Sequence, residues 1–243
     1  MKILAHYDYT SWGGDAYTVE LVDAEGTPGT SLEVQGRGAR LSYEGDEELH
    51  PYTPILYSKL EAYFMVNDDM EAILVGLLQS PKEGRYYLRL LRFGSLEWLG
   101  VIQPEQIEWP RTNKPFEVAI SATDGLKLLK NKKVPVPALN SASFTTEIIY
   151  ILAQTGLQQF YQDGDLYVSI ACEYYPQNTA ASTGEDQLRI SRMVKSEVLY
   201  LVENDDGDDE WVDLLTRLKD TLQTFGLRAC FNQGRYYLIQ VDA

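Results

Sequence analysis

The sequence predicts an α+β fold, dominated by strands and divided into two domains with short helices. Three observations point there. Apolar and polar residues alternate with period two along many short segments, as half-buried strands require. A few segments repeat apolar residues at three- and four-residue steps, as one face of a helix requires. The chain has 243 residues, and domains commonly run to about 100–200. Residues 1–122 read as a first β-rich domain, 123–142 as a short helix with a Pro-containing crossover, and 143–243 as a second α+β domain.

His6 lies in a polar N-terminal strand. Tyr17 to Val22 alternates and reads as the next strand, Gly26-Thr27-Pro28-Gly29 as a turn, and Ser31 to Gln35 as a short strand. Tyr57 to Val66 carries Leu60, Ala62 and Phe64 on one face and Tyr57, Tyr63 and Met65 on the other. Asp68-Asp69 is positioned to cap a helix through Gln79, with Met70, Ile73, Leu74, Leu77 and Leu78 at helical spacing. Gly76 weakens that helix by roughly 1 kcal/mol against Ala. Arg85 to Arg92, the turn Phe93-Gly94-Ser95 and Leu96 to Ile102 form a hairpin pattern. Pro104 and Pro110 bracket a loop, and Phe116 to Ala122 alternates again. Thr123 or Asp124 caps a short helix, Gly125 to Asn131. Lys130, Lys132 and Lys133 at its end complement the helix dipole.

Asn131 to Ser143 carries Pro135 and Pro137 and reads as a linker. Ser143 caps the next helix, with Phe144, Ile148, Ile149, Ile151 and Leu152 toward the core and Gly156 as its terminator. Leu166 to Cys172 is a strand, Pro176 to Asp186 a loop, and Leu188 to Val202 one strand or two. Asp209 or a neighbouring acid caps the last helix. Trp211, Leu214, Leu215, Leu218, Leu222 and Phe225 mark its apolar face. Gly226 ends it, and Gly234 turns the chain into a final strand, Arg235 to Val241. Gly76-Leu77 with Gly84-Arg85-Tyr86-Tyr87-Leu88 returns 150 residues later as Gly226-Leu227 with Gly234-Arg235-Tyr236-Tyr237-Leu238. Either turn-plus-strand chemistry is reused by chance, or two domains are related.

Charge narrows the function classes. With 21 Lys+Arg against 36 Asp+Glu the formal charge is −15, which opposes binding to nucleic acid and to anionic membranes. No apolar run approaches the ~20 residues of a membrane span. The N-terminus turns polar at once and does not resemble a signal peptide. Folding in a cytoplasm is expected. Cys172 and Cys230 make neither a disulfide scaffold nor a Cys-x-x-Cys motif.

Catalytic motifs are missing. His6 and His50 are the only two histidines, and neither sits in a nucleophile or zinc pattern. Gly36-Arg37-Gly38-Ala39-Arg40 lacks the parts of a phosphate loop and reads as a polar hairpin loop. The run Glu203 to Glu210 holds six carboxylates, but its spacing fails an EF-type calcium loop. No catalytic, cofactor-binding or metal-ligating residue is expected, and no enzymatic activity. The 17 Tyr say more. In the doublets Tyr86-Tyr87, Tyr174-Tyr175 and Tyr236-Tyr237 the two rings point to opposite sheet faces. One ring is then free to enter the core while the other meets a partner.

Trp98-Leu99-Gly100-Val101-Ile102-Gln103-Pro104 is followed by a strand, Phe116 to Ala122, that runs into Thr123-Asp124-Gly125-Leu126 and Lys127-Leu128-Leu129-Lys130. This resembles the hub region of phage tail-tip proteins, where a Trp-x-Gly strand and a proline lead to a strand ending in Ala-Thr-Asp-Gly-Leu. Pro54-Ile55-Leu56-Tyr57-Ser58 resembles the Pro-Ile-x-x-Ser segment of the same family. Phe144 to Leu157 is similar to its helix ending in Gly, and Trp211 to Tyr237 to its terminal helix and aromatic hairpin.

The resemblance implies two barrel-like hub domains per subunit that take neighbouring places in a ring. It implies a homo-oligomer, a trimer before a hexamer, joining the tail tube to tip proteins at the virion tail tip after assembly in the bacterial host cytoplasm. DNA would be passing cargo in a negatively charged lumen. Trp98, Gly100, Pro104, Asp124, Gly125 and Leu126 would be structural, at a conformational junction. Family members are usually much longer, so this chain is a short relative or a shortened form, and host recognition and wall-degrading activity do not carry over. Two other classes stay open: a carbohydrate-binding β-rich module with a concave aromatic platform, and a glycan hydrolase with two facing carboxylates.

Overall fold

The structure, a computed structural model, describes residues 1–45, 53–79, 84–107, 109–110, 113–133, 144–157, 168–171, 201–203 and 209–241. It contains two compact units. Unit 1 comprises Met1–Glu44, Tyr57–Asp124 and Phe231–Gly234; unit 2 comprises Gly45–Leu56, Gly125–Cys230 and Arg235–Ala243. Strands dominate and helices are few, in agreement with the α+β expectation.

Unit 1 holds β1 (Lys2–Thr10), β2 (Ala16–Asp23), β3 (Leu32–Glu33), β4 (Gly36–Glu44), most of β5 (Ile55–Val66), α1 (Asp68–Gln79), β6 (Tyr86–Arg92), β7 (Ser95–Ile102) and β8 (Phe116–Thr123). Their order is β3-β1-β2-β6-β7-β8-β5, with β4 on β5. All pairs are antiparallel except β1 with β3. The ladder is not closed, so the barrel implied by the resemblance is not drawn by hydrogen-bonded strands. The link between β3 and β4 does bond at both ends. Val34 N–H donates to the His6 carbonyl at 2.9 Å, and Met65 N–H donates to the Gln35 carbonyl at 2.8 Å.

Alternation sends Leu60, Ala62, Phe64 and Val66 of β5 into the core, where Val19, Leu21, Val118 and Ile120 are also buried. α1 adds Met70, Leu74 and Leu77. Its cap is Asn67, whose Oδ1 accepts from Met70 N–H at 2.8 Å, rather than Asp68 or Asp69. The segment Gly36 to Arg40 belongs to strand β4 and not to a hairpin loop. A Cβ on Gly36 would stand 2.5 Å from the Tyr7 ring, so glycine there lets β4 cross a buried aromatic. At the β6–β7 turn, Phe93 (φ 49) and Gly94 (φ 77) are both left-handed, the backbone of a two-residue hairpin loop.

Unit 2 contains a short 3-10 helix (Leu126–Asn131), α2 (Phe144–Ala153), β9 (Val168–Ala171), β10 (Leu201–Glu203), β11 (Asp209–Trp211), α3 (Leu214–Thr224), most of β12 (Leu227–Asn232) and β13 (Arg235–Gln240). Ala229 and Cys230 of β12 pair in parallel with Ile55 and Leu56, the first residues of β5. On the other side β13 follows β12, and β9 runs parallel to β13. α3 buries Leu214, Leu215, Leu218 and Leu222, as its periodicity predicts. Phe144 meets Phe225 edge-on, with ring centroids 4.7 Å apart. Gly156 after α2 and Gly226 after α3 have φ 83 and φ 62, the left-handed stop of a helix end.

Several expectations change in unit 2. Trp211 ends strand β11, paired with Leu201, and is not part of the last helix. The α3 cap is Asp213, whose Oδ1 accepts from Thr216 N–H at 2.9 Å. Ile149 is 40% exposed instead of core-facing. The two copies of the 150-residue echo differ at their first glycine and agree at their second, Gly84 and Gly234 having φ 72 and φ 71. Gly76 lies inside α1 with open space around it, whereas Gly226 terminates α3. The Ser143 cap, the Pro135–Pro137 crossover, the 176–186 loop, Tyr174-Tyr175, His50, Cys172 and most of the acidic run lie outside the described residues. No helix among the described residues is long and apolar enough to cross a membrane.

Candidate functional site

Three separate pieces of the tail-tip resemblance meet inside unit 1. Ser58 comes from β5, Trp98 from β7, and Asp124 follows β8. β8 lies between β5 and β7, with Thr123 paired to Lys59 on one side and to Val101 on the other. That register brings the three side chains together. Asp124 Oδ2 accepts from Ser58 N–H at 2.6 Å and from Ser58 Oγ–H at 3.0 Å. Asp124 N–H donates back to the Ser58 carbonyl at 3.2 Å. Trp98 Nε1–H donates to Ser58 Oγ at 2.9 Å. Trp98 and Asp124 are 0% exposed and Ser58 1%.

Burial makes each of these hydrogen bonds necessary, since an unpaired buried polar group costs about 1–3 kcal/mol. Gly100 supplies the room. A Cβ there would stand 2.0 Å from Trp98 Cη2 and 2.5 Å from the Thr123 carbonyl oxygen. The indole edge occupies the space any side chain would take. The Trp98 ring also meets Phe231 edge-on at 6.4 Å. The site is therefore closed. The Ser58 hydroxyl both donates and accepts inside it, and neither it nor the carboxylate reaches solvent to meet a substrate.

The other expected site residues fall differently. Pro104 is buried and opens a 3-10 turn, Pro104–Gln106, past the end of β7. Gly125 is the cap residue of the next 3-10 helix at φ 79, and no side chain caps that helix. Asp124 thus does not cap it; its carboxylate turns to Ser58. Gly125, the next residue, belongs to unit 2 and lies against Thr155 of that same unit, whose carbonyl oxygen a Cβ would meet at 2.9 Å. Leu126 is fully buried. Of the six residues, Trp98, Gly100 and Asp124 share one cluster. Ser58 is its fourth member, and the Pro-Ile-x-x-Ser segment was the sequence signal for it.

A second buried polar centre stands in unit 2. Arg217 of α3 donates to Glu147 of α2, Nε to Oε1 at 2.6 Å and a terminal nitrogen to Oε2 at 3.4 Å. The Glu147 side chain is 0% and that of Arg217 8% exposed. No sequence pattern announced this pair.

The described tyrosines divide between core and surface: in the last doublet Tyr236 is buried and Tyr237 half-buried, as the alternation predicts. Tyr86 and Tyr87 are both buried, so this doublet sends neither ring outward. Tyr7 donates to the Gly38 carbonyl at 2.6 Å, and burial pushes its phenol above the ordinary range. Tyr9 stacks on Tyr17 at 5.2 Å; burial first, then its neighbour, pushes it up to about 12. Arg85 pairs with Asp23 at 2.8 Å, Arg89 with Glu20, and Arg92 with Asp15 at 2.8 Å. Among the described residues no group of three or more His, Cys, Asp and Glu is placed to hold a metal ion.

No protein-family model matches the chain, and no curated protein does. Solved structures similar to it include two tail proteins. The tail protein from Neisseria meningitidis MC58 is 11% identical with a TM-score of 0.43, over 83% of this chain and 50% of that one. The 43 kDa tail protein of prophage MuSo2 from Shewanella oneidensis is 9% identical with a TM-score of 0.41, over 85% and 57%. The chain spans about half the length of these structures.

Proposed function

We propose that the chain is a structural protein of a phage tail or related injection device, a ring-forming hub at the distal end of the tube. One observation carries this reading. Residues that resemble the tail-tip hub family in three distant stretches, Ser58, Trp98 and Asp124, converge on one buried hydrogen-bonded centre. Chance likeness in three stretches would not be expected to select side chains that hold one another. The centre is sealed, which suits a framework role and not catalysis.

In this reading the two units take neighbouring places in a ring, a trimer offers six such places to a six-fold tube, and tip proteins bind the other side. The net charge of −15 suits a lumen that lets DNA slide without sticking. The virion tail tip is then its location. Sedimentation over a concentration series, with imaging of the particles, tests the reading. Closed rings, alone or on added tube protein, are expected. A strict monomer in both settings, with affinity for oligosaccharides, would replace the hub with the carbohydrate-binding reading.

A further inference from the structure

No further inference is drawn: the strongest candidate, the surface patch of Trp12 and Phe93 at the adjoining tips of the β1–β2 and β6–β7 hairpins, is exposed and apolar, and nothing in the structure shows what covers it.

Discussion

The two units solve the same problem with different chemistry. Each joins segments far apart in sequence through a buried polar centre, Ser58 to Asp124 across 66 residues and Glu147 to Arg217 across 70. Unit 1 brings hydroxyl, amide and indole donors together from strands β5 and β7, on either side of β8. Unit 2 sets one charge against another between two helices. Removing the Asp124 carboxylate leaves neutral donors without an acceptor, a modest penalty, whereas removing Glu147 takes the counter-charge from a buried guanidinium, a large one. The helical pair should therefore be the more fragile centre and the strand junction the more tolerant.

Unfolding in denaturant breaks or sharpens that contrast. Glu147→Leu alone should cost about 3–5 kcal/mol by taking the carboxylate from the buried Arg217 guanidinium, and adding Arg217→Met should restore most of it. A double variant no better than the single one would show that the charges do more than pair. Asp124→Ala should cost less, about 1–3 kcal/mol, because it strands the donors of Ser58. Gly100→Ala should fall in a similar range, about 1–3 kcal/mol from overpacking, and should also alter the near-ultraviolet signal of Trp98. If Asp124→Ala proved costlier than Glu147→Leu, the ranking of the two units would invert.

Acid should act on unit 1 through Asp23. The Arg85 guanidinium beside it holds its carboxyl below the usual carboxylate range. Such a group stabilises the fold above its unfolded pKa of about 3.9 and loses that contribution as pH falls through its lower folded value. Asp23→Asn should thus be less stable than wild type at neutral pH, with the gap closing below about pH 4. Midpoints measured from pH 6 to pH 2 check this. The smallest effect belongs to Lys114, which pairs with Asp68 and Glu71 at the surface. Lys114→Ala should barely move the midpoint, and high salt should erase what shift there is.

Much of the fold was legible because it is written in local periods. The alternation of β5 and the leucine steps of α3 each rest on neighbours within one element. Trp211 misled because it fits the helical step from Leu215 yet lies before Asp213, the residue that starts the helix. Asp124 fitted a cap by position. Its carboxylate was claimed by Ser58, a partner that only the pairing of β5 with β8 reveals. Glu147 and Arg217 were illegible for a related reason. A lone charge among helical residues looks solvated until the opposite helix is in place. The exchange of 45–56 and 231–234 between units likewise has no linear signature.

The segment from Leu32 to Glu44 has a consequence for behaviour in concentrated solution. β1 pairs with β3 at Ala5 and His6, and β5 pairs with β4 from Tyr57 to Phe64. A single stretch of chain thereby occupies hydrogen-bonding groups on two strands that would otherwise offer themselves to foreign backbone. Bare strand edges recruit other chains into aggregates. A protease nick near Val34 would loosen both guards together and open two strand edges to foreign backbone.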